Sequence, residues 1–212
     1  MWPPGAGPGR RDAPFCLVLA MILRPDAFTA EQKERNFAYY ERITVRDSSL
    51  SAGSQAVMAA EVGQLDLALD YLREAAQMDL ADLEHNAGDG LHLAALASVW
   101  TVLTAGFGGL RMREGIPHFA PRLPPALTRL SFRIRVRGSL LVVAVTGTEA
   151  SYAATDGGPA QVGHYGEVLT LAPGQAQTRP IPPLATAARA TQPPGRAPAG
   201  QPAAREHPGQ PG

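Results

Sequence analysis

The 212-residue chain has one cysteine, Cys16, so it can close no disulfide within itself and build no cysteine zinc site. A reducing cytoplasm suits such a sequence. Neither sign of charge is in excess, since 19 Lys and Arg stand against 19 Asp and Glu. Without a basic field there is no electrostatic footprint for nucleic acid, and none is expected as a partner. Lysine is nearly missing: Lys33 is alone among 18 arginines, and with the abundant Ala, Gly and Pro this reads as base-composition bias rather than chemistry. Long apolar runs are also lacking. Phe15 to Leu23, preceded by Arg10-Arg11, has the look of an export signal, but it is too short to span a bilayer. Arg24-Pro25-Asp26 follows it without a small-x-small cleavage site, so neither export nor a membrane partner is expected.

What is present changes character along the chain. Residues 1 to 14 are rich in Pro and Gly and are expected to form no regular element, so residues 1–16 read as a disordered lead-in. Leu17 to Leu23 is apolar and helical, Pro25 breaks it, and Thr29 with Gln32 three residues on fits a capping box for a new helix. Gln55 to Val62 predicts a helix closed by Gly63, and Leu65 to Met78 an amphipathic one with Leu65, Leu69, Leu72 and Ala76 on one face. Leu91 to Thr104 is apolar around most of its circumference and predicts a buried helix. The period then shifts to two. Phe132, Ile134 and Val136 alternate with Arg133, Arg135 and Arg137, Gly138-Ser139 supplies a turn, and Leu140 to Val145 returns as a hairpin partner. Weaker strands are predicted around Ser151 to Ala154 and Glu167 to Leu171. Past Pro183 large apolar residues almost vanish, which predicts a disordered tail over residues 184–212.

Chemistry concentrates between Asn36 and Ser51. Asn36-Phe37-Ala38-Tyr39-Tyr40-Glu41 ends one helix, and Arg46-Asp47-Ser48-Ser49-Leu50-Ser51 opens onto the next. Hydroxyls and backbone N–H groups at a helix N-terminus suit an oxyanion such as phosphate. The same residues also fit an ordinary N-cap in which Ser49 or Ser51 satisfies the first turn. His85 and His92, with Asp82 and Asp89 nearby, fit no established metal-ligand spacing, so no metal site is expected. The row Arg133, Arg135, Arg137 reads as the solvated face of a sheet, and Trp100 and Phe107 as core aromatics rather than sugar platforms.

Five motifs in order resemble glycoside hydrolase family 65, the phosphorylases of maltose, trehalose, kojibiose and related α-glucosides. They are Asn-Phe-x-Tyr-Tyr-Glu from Asn36, Asp-Ser-Ser-Leu-Ser from Asp47, Asp-Gly-Leu-His from Asp89, Gly-Phe-Gly-Gly-Leu-Arg from Gly106, and Phe-Arg-Ile from Phe132. The resemblance runs from Leu17 to about Val145 and thins toward Pro183. It implies the last helices of an (α/α)6 barrel over residues 17–115, a small antiparallel β-sandwich over 116–183, and a cytoplasmic enzyme that is dimeric at full length.

The resemblance further implies inverting phosphorolysis, in which phosphate attacks the anomeric carbon while a carboxylic acid protonates the departing oxygen, giving β-glucose 1-phosphate. Phosphate is then a co-substrate beside an α-linked glucose disaccharide, and no cofactor is implied. Ser48, Ser49, Ser51 and His92 match the positions that hold phosphate, with Asp47, Glu41 and Asp89 as supporting carboxylates. Hydrolytic relatives are expected to carry a carboxylate in the serine loop, and none follows Asp47 there. The family's catalytic glutamate lies upstream, and its Lys-Gln pair falls where this chain has Ala13-Pro14-Phe15-Cys16. Neither has a counterpart, so no catalytic residue is assigned and the chain alone is expected to be inactive and poorly soluble. Two alternatives stand beside this: a non-catalytic anion-binding or assembly module completing a barrel with a partner chain, and a small intact enzyme of other chemistry.

Overall fold

A computed structural model describes residues 13–44, 49–83, 85, 87–185, 187–193 and 196–198, with side chains from residue 17 onward. Helices come first and strands second, as a partial helical barrel followed by a β-domain requires.

Five helices make the first part: α1 (Ala13–Leu23), α2 (Ala30–Glu41), α3 (Ser51–Glu61), α4 (Leu65–Gln77) and α5 (Leu93–Thr101). The capping box of α2 forms, with Thr29 Oγ1 accepting from the Gln32 backbone at 3.2 Å and Gln32 Oε1 accepting from the Thr29 backbone at 2.8 Å. Gly63, at φ 82°, turns α3 into α4 through the left-handed region that a glycine adopts without strain. Its helix is built from Ser, Ala, Gly and Met and is buried on nearly every side, so neighbours approach closely. A Cβ on Gly53 would lie 2.3 Å from Ser98 of α5, and one on Gly106 would lie 3.5 Å from Val57 Cα and 3.7 Å from Ala60 Cβ. Matching 53 with 98, and 57 to 60 with 106, makes α3 and α5 run parallel, with their N-termini at one end. After Thr101 the helix widens into a π-helical turn, Val102–Phe107.

The prediction that the α5 segment is buried fails in an informative way. Ala95, Val102 and Phe107 are buried, but Leu91, Leu93, Leu96 and Trp100 are 63%, 72%, 39% and 51% exposed. A helix apolar all round should have neighbours on all sides. Here one side has α3 and α4, while on the other only Trp100 finds a ring, meeting Phe132 edge-on at 6.1 Å, and Leu91, Leu93 and Leu96 stay exposed.

Eight strands follow: β1 (Arg111–Arg113), β2 (Ile116–Phe119), β3 (Leu130–Val136), β4 (Ser139–Val145), β5 (Glu149–Asp156), β6 (Ala160–His164), β7 (Glu167–Leu171) and β8 (Ala176–Pro180). They form two four-stranded sheets, ordered β1-β2-β6-β7 and β3-β4-β5-β8. All pairings are antiparallel except β2 with β6, which is parallel. Phe119 of one sheet meets Tyr152 and Phe132 of the other at 5.2 and 6.3 Å between ring centroids, so the sheets share one core. The β3–β4 turn is Arg137-Gly138, at φ 49° and 84°, one residue earlier than the sequence suggests, and Ser139 already pairs with Val136.

The chain past Pro183 has no helix or strand among its described residues. Part of it nevertheless lies against the helices. Arg189 pairs with Asp70 at 2.8 Å, the Ala190 N–H donates to Gln64 Oε1 at 2.7 Å, and Gln192 Nε2 donates to Glu41 at 2.9 Å.

Candidate functional site

The site follows from the parallel course of α3 and α5. Ser51 is the first residue of α3, two residues before the Gly53–Ser98 crossing, and His92 immediately precedes α5, six residues before Ser98. At about 1.5 Å of rise per residue both lie beyond the crossing at the same end of the pair, His92 about one turn further out. Ser49 and Leu50 form the turn that enters α3. Asp47 and Ser48 lie outside the described residues.

Leu50 occupies the N-cap position of α3 and no side-chain capping bond is made there. The ordinary-cap reading of Ser49 and Ser51 therefore fails: neither hydroxyl makes a side-chain hydrogen bond among the described residues, although Ser51 is buried. A helix N-terminus carries a partial positive charge.

His92 is held by a residue that sequence reasoning missed. Its backbone N–H donates to Asp79 Oδ2 at 3.0 Å and to Oδ1 at 3.2 Å, and its ring Nδ1 lies 2.6 Å from Oδ1. Asp79, in the turn after α4, is 7% exposed at its side chain. An Nδ1–H donated to that carboxylate fixes the ring's orientation and leaves Nε2 as the nitrogen available to a ligand. No local sequence signal links the two, which are 13 residues apart on separate elements.

The supporting carboxylates separate into different places. Glu41, at the end of α2, is buried and accepts from the Tyr71 hydroxyl and from Gln192, so it ties α2 to α4 and to the later chain. Asp89 is exposed on a single 3-10 turn, Ala87–Asp89. Glu61, at the far end of α3, is clamped by Lys33 at 2.6 Å and by Arg111. Burial raises its pKa, but Arg111 and Lys33 outweigh that and hold the carboxyl below the ordinary carboxylate range. A group so ionised at neutral pH is no general acid.

Against this geometry stand two family models. One, described as the glycosyl hydrolase family 65 central catalytic domain, matches residues 16–101, and another, the family's C-terminal domain, matches residues 110–171. The chain belongs to glycosyl hydrolase family 65. An uncharacterised glycosyl hydrolase of Mycobacterium leprae is 50% identical over 196 residues, covering 90% of this chain and 24% of that protein. An α,α-trehalose phosphorylase of Thermoanaerobacter brockii is 36% identical over 159 residues, covering 75% of this chain and 20% of the relative. A solved structure assigned as a kojibiose phosphorylase from the human microbiome superposes with a TM-score of 0.70 at 26% identity, over 77% of this chain and 23% of that one. The chain thus spans about a quarter of the length of the family 65 proteins it matches. The first family 65 model ends with α5 at residue 101 and the second begins at residue 110, so the π turn Val102–Phe107 lies between them.

Proposed function

We propose that this chain supplies the phosphate-holding part of an inverting α-glucoside phosphorylase, and that the general acid comes from barrel helices it does not contain. Ser48, Ser49, Ser51 and His92 hold the anion, Asp79 orients His92, and phosphate then attacks the anomeric carbon of an α-linked glucose disaccharide. The observation that carries this is the start of α3 beside an Asp79-held histidine at the same end of a parallel helix pair. Such an assembly binds an oxyanion through hydroxyls, backbone N–H groups and one imidazole, with the Asp79 carboxylate engaged by His92.

The uncovered face of α5 supports the second half of the proposal. Leu91, Leu93, Leu96 and Trp100 form an apolar stripe of the sort that marks a surface meant for another element, here the remaining barrel helices, in a longer chain or a partner. The core that helices and β-sandwich share also favours the assembly-module reading, in which this unit only completes a barrel. Phosphate separates the two readings. Calorimetric titration with inorganic phosphate should give a saturable event that a Ser48→Ala, Ser49→Ala, His92→Ala variant loses, and a chain in which that variant changes nothing would leave assembly as its role.

A further inference from the structure

A second cluster of charge lies at the opposite end of α3. Glu61 is ten residues from Ser51, so about 15 Å separates the two along the helix axis. There the helices meet the β-domain around a cavity of about 180 Å3 lined by Lys33, Glu61, Arg111, Arg113 and Arg122. Four cations face one carboxylate.

Most of these groups have structural work, and it is informative to see what is left over. Glu61 is fully used, one oxygen by Lys33 and the other by Arg111. Arg111 Nη1 donates to the Ala105 and Leu110 carbonyls at 2.7 and 2.8 Å. Arg122 donates from Nε to Ala120 O at 3.2 Å and from Nη1 to the last carbonyls of α3, Ala60 at 3.2 Å and Glu61. These bonds cover the negative helix ends and fix both guanidinium planes. Among the described residues Arg113 pairs only with Asp26, at 3.0 Å, and both are at least half exposed. The remaining donors include Arg122 Nη2, Nε and Nη1 of Arg113, two protons of the Lys33 ammonium, and Arg111 Nε, which is buried without a partner among the described residues. Burial also lowers the Arg122 pKa, the cost of holding a guanidinium there beside Arg111. After Glu61 and Asp26 are counted, the cavity retains a surplus of two positive charges in a desolvated setting.

We propose that this junction cavity is a binding site for a phosphoryl dianion, inorganic phosphate or a small phosphate monoester, distinct from the Ser49–His92 end. Pre-fixed guanidinium groups lose little entropy on engaging an oxyanion, and charge-assisted bonds to it satisfy the leftover donors. A ligand there contacts α2 through Lys33 and the β-domain through Arg111 and Arg113, so it locks one to the other. The site is independent of the phosphorolysis reading.

Calorimetric titration of the full chain with inorganic phosphate at constant ionic strength should resolve two saturable events. Lys33→Gln and Arg113→Ala should each weaken one of them by about tenfold or more and leave the other, which His92→Ala removes. Arg113 has an exposed partner only, so Arg113→Ala keeps the fold and decides the matter if Lys33→Gln perturbs it, as circular dichroism would reveal. Glucose 1-phosphate as a second probe distinguishes sources: competition at the junction assigns it to monoesters, and its exclusion assigns it to the free ion. A single event that vanishes with His92→Ala, or two events untouched by Arg113→Ala, would overturn the junction site while leaving the phosphorylase reading intact. A single event lost with Arg113→Ala would do the reverse.

Discussion

At the scale of single residues, the chain separates two kinds of buried carboxylate by what surrounds them. Asp79 holds a histidine and Glu61 joins two cations from other elements. Because the Glu61 pKa is depressed in the folded state, its contribution to stability is complete above the ordinary carboxylate value and is lost as pH falls through the lower folded value. Glu61→Gln should therefore destabilise the chain by about 3 kcal/mol at neutral pH and flatten the acid limb below about pH 4.5, followed by helical circular dichroism. An unchanged acid limb would show that the clamp carries no linkage. Asp79→Asn is the second residue-scale test. Losing the carboxylate frees the imidazole to rotate, so phosphate affinity should fall by about tenfold while the secondary structure is retained.

Among the elements, the α3–α5 crossing does most to define the site, because it fixes where Ser51 and His92 stand relative to each other. Gly53→Val places a side chain where Ser98 already sits, and overpacking of this kind costs about 1–3 kcal/mol. Phosphate binding should weaken with it, and Ser98→Gly in the same chain should recover part of both losses, read by denaturant titration. Helices were the more legible elements in the sequence, since capping box, Gly63 and the Leu65–Leu69–Leu72 spacing are local signals. Strands were less so. Glu114-Gly115 and Tyr165-Gly166 make the same left-handed turns as Arg137-Gly138, but lack the Asn or Asp that announces a hairpin, and β1, β2, β6 and β8 went unread. The parallel β2–β6 pairing joins residues more than forty apart, and nothing local encodes it. The motifs pointed to Ser49, Ser51 and His92, while Asp79 and the Lys33–Glu61–Arg111 clamp needed three dimensions.

For the whole molecule, the dominant feature is imbalance: one core runs from the helices into the β-sandwich, while the helical layer keeps an exposed apolar stripe. The stripe predicts self-association. Sedimentation of the full chain should show concentration-dependent oligomers, and Leu93→Gln with Leu96→Gln should shift them toward monomer; a strictly monomeric wild-type chain would mean that the stripe tolerates water. No helix among the described residues is long and apolar enough to cross a membrane, so that stripe has no bilayer to enter as a span. On the proposed division, with the general acid on other barrel helices, the chain alone should release no glucose from trehalose, kojibiose or maltose with phosphate.

The most direct test restores the missing barrel. A chimera carrying the upstream portion of the Thermoanaerobacter brockii trehalose phosphorylase and this chain as its C-terminal quarter permits one comparison, the apparent KM for phosphate with His92 and with His92→Ala. Phosphorolysis in the first and a KM raised by about tenfold or more in the second is the expected result. A chimera whose phosphate KM ignores His92, or that cleaves disaccharide with water at the same rate whether or not phosphate is present, would contradict the assignment.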